Sequence, residues 1–178
     1  MENKKSSEVI YRFLQPGDVE SAWVCINRLI AEDANLVQAL PIPLEEEAIW
    51  VDKTLKGIAA KSTICIVAEA NGKIIATSTL ERASNPTTFP RLGHVGNFGI
   101  AISDPEFRAR GVGYALASRV FEEAKKIGIK LVLLDYFEGN EAAHHLYLKL
   151  GFKECGRTPK KICYKGKYID TIEMWKEI

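Results

Sequence analysis

The feature that most constrains this chain is a strand–loop–helix–strand block in its second half. The run His94 to Ile102 reads as a strand and leads into Ser103-Asp104-Pro105-Glu106-Phe107-Arg108-Ala109-Arg110, which reads as a turn. From about Gly111 to Ile127, the residues Val112, Leu116, Val120, Ala124 and Ile127 recur at helical spacing and define one buried stripe. Leu131 to Tyr136 is then a continuous apolar run, the pattern of a strand covered on both faces. Two strands joined by a helix lie parallel and cross over right-handedly. The chain must therefore build a sheet with a parallel pair and a helix packed on it.

The flanking segments extend this sheet. Val9 to Phe13 reads as a strand, and Pro16-Gly17-Asp18 as a turn whose Asp18 can cap the next helix. That helix shows Ala22, Ile26, Leu29 and Ile30 at helical spacing. Leu40-Pro41-Ile42-Pro43 separates it from a second helix with apolar contacts expected from Ile49, Val51 and Leu55. Glu45, Glu46 and Glu47 fall in its first turn, where the macrodipole favours negative charge, and that alone accounts for them. Thr63 to Ala70 and Lys73 to Leu80 flank Asn71-Gly72, the strongest short-range hairpin signal. Ala83 to Leu92, with Pro86 and Pro90, reads as a loop. Asn140 can cap a helix that ends at Leu150-Gly151. Strands follow around Phe152 to Arg157 and Tyr168 to Lys176, with Lys165-Gly166 near their turn. The order βααββ–βαβ–αββ predicts an α/β (α+β) fold: a mixed sheet of about seven strands with helices on both faces.

Composition removes several function classes. A length of 178 residues predicts one domain, 1–178, at about 150 residues per domain. Twenty-four Lys and Arg against 23 Asp and Glu leave a net charge of +1, without the basic excess of a nucleic-acid binder. No run approaches the roughly 20 apolar residues of a membrane span. The charged start, Met1 to Glu8, is not a secretory signal peptide. Cys25, Cys65, Cys155 and Cys163 are scattered, with no Cys-x-x-Cys pair and no metal-ligand spacing. They read as reduced thiols, mostly in the core, of a cytoplasmic protein without a metal.

The chemistry concentrates at Arg108-Ala109-Arg110-Gly111-Val112-Gly113-Tyr114-Ala115-Leu116. Two glycines at a helix start let the backbone curve and approach a ligand, and free N–H groups and the dipole favour phosphate. Arg108 and Arg110 add formal charge. The Walker pattern is absent. A dinucleotide fingerprint would need a third glycine where Leu116 stands, although Asp135 lies near the distance of a ribose-binding acid.

These residues resemble the GNAT N-acetyltransferases. Their Arg/Gln-x-x-Gly-x-Gly/Ala signature is matched by Arg108, Gly111 and Gly113. A second signature is matched by Asn140, Leu146, Tyr147 and Leu150-Gly151-Phe152. His94 to Ile100 resembles the bacterial branch that acetylates amino acids and small amines, and Gly166 to Met174 also looks like the superfamily. The resemblance implies an acetyl-CoA-dependent enzyme. The pyrophosphate would rest on the loop amides of Arg108, Ala109, Arg110, Gly111, Val112, Gly113, Tyr114 and Ala115. The pantetheine arm and thioester would lie along Ile100, Ala101 and Ile102, with Asn140 touching the arm. Tyr147 would be the general acid that protonates the departing CoA thiolate. Asp135, Glu81 and His94 are candidate bases. His144 and His145 are expected to face solvent beside the helix stripe.

The acceptor implied is a primary amine of an amino acid or other small molecule, with a protein N-terminus as the alternative. No cysteine stands on a motif position, so transfer would be direct. A non-catalytic CoA-binding sensor is the alternative of another class, and Tyr147 weighs against it. The apolar content of Ile162, Tyr164, Tyr168, Ile169, Ile172 and Trp175 suggests a homodimer surface.

Overall fold

A computed structural model describes residues 8–178, so the N-terminal segment 1–7, most of the stretch read as no signal peptide, lies outside the described residues. The elements are β1 (Ile10–Phe13), α1 (Val19–Ala31), α2 (Leu44–Ala59), β2 (Thr63–Ala70), β3 (Lys73–Arg82), β4 (Val95–Ile102), α3 (Val112–Lys126), β5 (Leu131–Phe137), α4 (Glu141–Lys149), β6 (Lys153–Tyr164) and β7 (Lys167–Glu177). One seven-stranded sheet runs β1-β2-β3-β4-β5-β7-β6. Its pairs are antiparallel except β4–β5, which is parallel as the strand–helix–strand block requires. The β2–β3 hairpin turns through Asn71 (φ 52) and Gly72 (φ 73), both left-handed as a tight two-residue turn demands.

Strand alternation sends successive side chains to opposite faces and creates two cores. On one face, Ile64, Ile66, Leu80, Val132 and Met174 pack with Leu116, Val120 and Phe121 of α3 and Tyr147 and Leu150 of α4. On the other, Cys65, Val67 and Ile74 pack with Ala22 and Cys25 of α1 and Val51 of α2. Helices thus cover both faces. No helix among the described residues is long and apolar enough to cross a membrane.

Several local expectations are corrected. Strand β6 reaches Tyr164 rather than ending near Arg157. It carries Pro159 and left-handed Lys160 (φ 56) across a register shift against β7. An outermost strand tolerates both, because one side of it has no ladder to keep. Ile49 is 67% exposed, since the buried stripe of α2 runs through Glu47, Val51 and Thr54 instead. Cys25 and Cys65 are buried, but Cys155 and Cys163 are exposed on β6. Ile172, counted toward a surface, belongs to the core. His144 is half-buried, with its Nδ1 2.6 Å from the Tyr136 hydroxyl.

What positions the site is the shortness of the parallel pairing. Strand β4 pairs with β3 from Gly96 to Ile102, but with β5 only over Val95–Asn97. Beyond Asn97 and Leu133 the two strands part. Leu116 is fully buried in the second turn of α3, the helix that joins the two strands. Leu116→Ala should cost about 2–5 kcal/mol in urea unfolding, whereas Ile49→Ala should stay within about 0.5 kcal/mol. Equal effects at the two sites would contradict this division of core and surface.

Candidate active site

The parting leaves an open main-chain edge. The His94 carbonyl accepts from the Lys130 and Leu131 amides at 2.8 and 3.1 Å, on the β5 side. The Val95 carbonyl accepts from Ala83 at 2.9 Å, on the β3 side. Alternation then turns the N–H and C=O groups of Phe98, Ile100 and Ile102 toward the gap. Leu133, paired with Asn97, still accepts from the Phe98 amide; past it, the Phe98 carbonyl and the main-chain groups of Ile100 have no β5 partner. The Ile102 carbonyl is taken by Arg108 Nε at 3.0 Å. Ala101, between the two isoleucines, directs its main-chain groups to β3, so only the even-numbered residues of this edge face the gap.

The glycine loop follows directly. Ala109 (φ 57) and Gly111 (φ 84) are both left-handed, which curves the chain into the start of α3. A Cβ at Gly111 would meet nothing within 4 Å, so its conformation, not crowding, calls for glycine there. The first-turn amides of Val112, Gly113 and Tyr114 precede the helical ladder and are free to bind an anion. The Ala115 amide is not, because it donates to the Gly111 carbonyl at 3.0 Å. Gly113 serves packing: a Cβ there would lie 3.1 Å from Ile102 and 3.2 Å from Leu146. Its lack of a side chain lets α3 sit close to both β4 and α4. Arg108 also departs from expectation. Its guanidinium turns back onto the Ile102 and Ser103 carbonyls and pairs with Glu32 at 2.5 Å. That fastens the loop to α1 and leaves exposed Arg110 as the loop's outward charge.

Helix α4 closes this side of the gap. Asn140 caps it by accepting from the Ala143 amide at 3.2 Å, which commits its oxygen and leaves its amide nitrogen for a ligand. Tyr147 is 6% exposed, with ring centroids 5.7 Å from Tyr136, 5.8 Å from Phe152 and 6.5 Å from Phe98. Burial pushes its phenol up to about 12, and the nearby Asp135 charge adds to the effect. Phe98 stands at the point where β4 leaves β5, so Tyr147 sits beside the opening.

The candidate bases are separated by the same alternation. Asp135 is exposed on the α1–α2 face of β5 and bonds Lys161 at 2.7 Å. It lines a cleft of ≈ 290 Å³ with Asn97, Leu133, Lys161 and Glu173, where the strands part. Glu81 pairs across β3–β4 with Asn97, one strand away. His94 precedes β4 at the closed end, where β4 and β5 still pair, and joins neither group. Glu173 was missed by sequence reasoning. It lies opposite Asp135 on β7 and accepts from the Thr158 hydroxyl at 2.7 Å. Its only sequence signal is alternation within β7, which places it on one face but not beside a gap. No group of side chains that could hold a metal occurs among the described residues.

An open strand edge thus runs into a glycine-shaped helix start with free amides, a geometry suited to an extended, phosphate-bearing ligand. The chain belongs to the GNAT acetyltransferase family, whose model matches residues 31–152. It is 29% identical over 105 residues to the [ribosomal protein bS18]-alanine N-acetyltransferase of Escherichia coli K12, a match spanning 59% of this chain and 65% of that protein. The L-amino acid N-acyltransferase MnaT of Escherichia coli K12 is 21% identical over 164 residues, 92% of this chain and 90% of that protein. The phosphinothricin acetyltransferase of Sinorhizobium meliloti, solved in complex with acetyl-CoA, shares the fold with a TM-score of 0.81 at 18% identity, covering 96% of this chain and 88% of that one.

Tyr147 yields a direct check on burial. A tyrosine free in water ionises near 10; absorbance titration should show one that ionises about two units higher and disappears in Tyr147→Phe. Because the unfolded phenol loses its proton first, this group should lower stability as pH rises from about 10 to 12. Ionisation midpoints near 10 for every tyrosine would contradict the buried position.

Proposed function

We propose that the chain is an acetyl-CoA-dependent N-acetyltransferase that moves the acetyl group directly onto a primary amine of an amino acid or other small molecule. The carrying observation is the early end of β4–β5 pairing beside Tyr147, continuous with the cradle at Gly111. Acetyl-CoA fits this arrangement: two main-chain groups of a strand for its pantetheine amides, and a ring of amides for its pyrophosphate. Val112, Gly113 and Tyr114 would hold the phosphates by their N–H groups, helped by Arg110. The Phe98 carbonyl and the main-chain groups of Ile100 would orient the arm. A fixed N–H there would stabilise the negative charge that develops on the thioester oxygen.

The acceptor would enter from the opposite face, through the cleft at Asp135. An α-amino group with a pKa near 8 is partly neutral at physiological pH and needs a weak base. Asp135 or Glu173 would take its proton as the N–C bond forms; Lys161 must give up Asp135 to do so. As the C–S bond breaks, Tyr147 would donate its hydroxyl proton to the CoA sulfur. A phenol raised to about 12 stays protonated throughout the working range, so it is always charged with the proton it must give. Glu81 lies one strand from the gap and His94 at its closed end, which favours Asp135 over both.

A second reading, acetylation of a protein N-terminus, rests on the similarity to the bS18-alanine enzyme. Residues 1–178 would form one cytoplasmic catalytic domain. The β6–β7 hairpin, whose Tyr168 is 70% exposed, would be its homodimer surface.

Thiol release from acetyl-CoA, measured across amino acids, small amines and short peptides, tests the assignment. Turnover with small amines is expected; turnover with peptides alone would favour the second reading. Tyr147→Phe should lower kcat by about 10²–10⁴-fold with little change in melting temperature or CoA affinity. An unchanged kcat with chemistry rate-limiting would remove Tyr147 from the mechanism.

A further inference from the structure

A second cleft, of ≈ 330 Å³, lies between α1 and α2 and is lined by Cys25, Ile42, Glu46, Glu47, Trp50 and Thr77 among others. Glu47 is unusual in it. The side chain is 5% exposed, on the helix stripe continued by Val51 and Thr54, where an apolar residue would pack without a desolvation cost. Its neighbours Glu45 and Glu46 are exposed, so favourable helix-start electrostatics explain them but not an inward-turned carboxyl. Among the described residues no side chain forms a hydrogen bond or ion pair with it. Burial alone shifts its acidity, upward, with no cation contributing. The basic residue of α1 nearest Cys25 in sequence, Arg28, is engaged by Asp104 at 3.1 Å.

The cleft is built rather than incidental. Its rim at Ile42 is fixed from both sides: the Ile42 carbonyl accepts from Trp23 Nε1 at 2.7 Å and Asn27 Nδ2 at 3.0 Å, and its amide donates to Asn27 Oδ1 at 2.8 Å. The Trp50 indole on its wall is a surface that favours cations. Its floor includes Thr77, which pairs with Ala101 of β4, one residue from Ile100 on the open edge. A molecule seated here therefore reaches toward the gap from the face opposite Tyr147.

We propose that this cleft binds a cationic group of the acceptor, with Glu47 as its counter-ion, so that the preferred acceptor carries a second positive charge remote from the amine that reacts. This rests on the acetyltransferase reading for the word acceptor, but the cation site itself does not. A bound ammonium or guanidinium supplies the partner that Glu47 lacks, and a neutral tail leaves the carboxyl buried and unpaired. Diamines and amino acids with basic side chains have this chemistry.

The test uses 1,5-diaminopentane and n-pentylamine, which share a chain and differ in the second cation. Calorimetry on the full chain should show the diamine binding more tightly than the monoamine. Glu47→Gln, nearly isosteric, should weaken the diamine by about 10–100-fold, the worth of a hydrogen bond to a charged group. It should leave CoA affinity unchanged. In turnover, the variant should raise KM for the diamine and spare kcat. Equal diamine affinity in wild type and Glu47→Gln, or no preference for the diamine over the monoamine, would overturn the proposal. Glu47-dependent diamine binding without acetyl transfer to the diamine would sustain the cation site and overturn its assignment to the acceptor, while activity on the other amines tests the enzymatic reading separately. A melting temperature for Glu47→Gln at or above wild type confirms that lost binding is not lost folding, and Glu47→Asp should recover part of the affinity if charge is what matters.

Discussion

Everything distinctive about this molecule depends on a parallel strand pair that lasts three residues. Val95 to Asn97 meet Leu131 to Leu133, and then β4 and β5 separate within the middle of a continuous sheet. A gap there would leave main-chain groups unpaired on both strands, which is normally costly. The cost is contained because each strand is held on its other side. Strand β4 keeps its ladder with β3 to Ile102, and β5 keeps its ladder with β7 to Phe137. The rings of Phe98, Phe121 and Phe152 gather at the point of parting, with Phe98 and Phe121 centroids 5.0 Å apart. The opening is therefore bounded by a firm apolar wall, while the open edge of β4 stays available to a ligand that presents its own amides.

Strand alternation gives the opening two unlike sides. The side covered by α3 and α4 carries Tyr147, the Asn140 cap and the amides after Gly111. The side covered by α1 and α2 carries Asp135, Glu173 and, farther off, Glu47. A group transfer needs a donor and an acceptor to meet at one point without crossing paths, and a hole through a sheet meets that need. The Arg108–Glu32 and Arg28–Asp104 pairs tie the glycine loop to α1, so the two sides are mechanically joined as well as adjacent.

Much of this was legible in the sequence. Asn71-Gly72 read as a tight turn, the Leu131 to Tyr136 run read as a strand covered on both faces although only its Val132, Leu134 and Tyr136 face is buried, and the stripe of α3 named its own buried residues. The order of elements then fixed a mixed sheet, and Gly111 marked the left-handed turn into α3 because its backbone conformation is a local matter. What was not legible depends on neighbours distant in sequence. Gly113 looks like a second ligand-facing glycine, but its missing side chain makes room for Ile102 and Leu146. Arg108 looks like a phosphate ligand, yet Glu32, 76 residues earlier, turns it inward. Glu47 shares a first turn with two exposed glutamates, and only the packing of α1 against α2 shows that it alone is buried. The separation of β4 from β5 leaves no mark in composition or periodicity, because both strands read as ordinary β structure throughout.

Amide hydrogen exchange with and without CoA tests the central claim most directly, because it reads the open edge residue by residue. New protection is expected at Ile100 and at Val112 to Tyr114, with Asn97 and Phe98 unchanged because their amides already pair with β3 and β5. Protection absent from these amides, or confined to the α1–α2 side while CoA is bound, would contradict it.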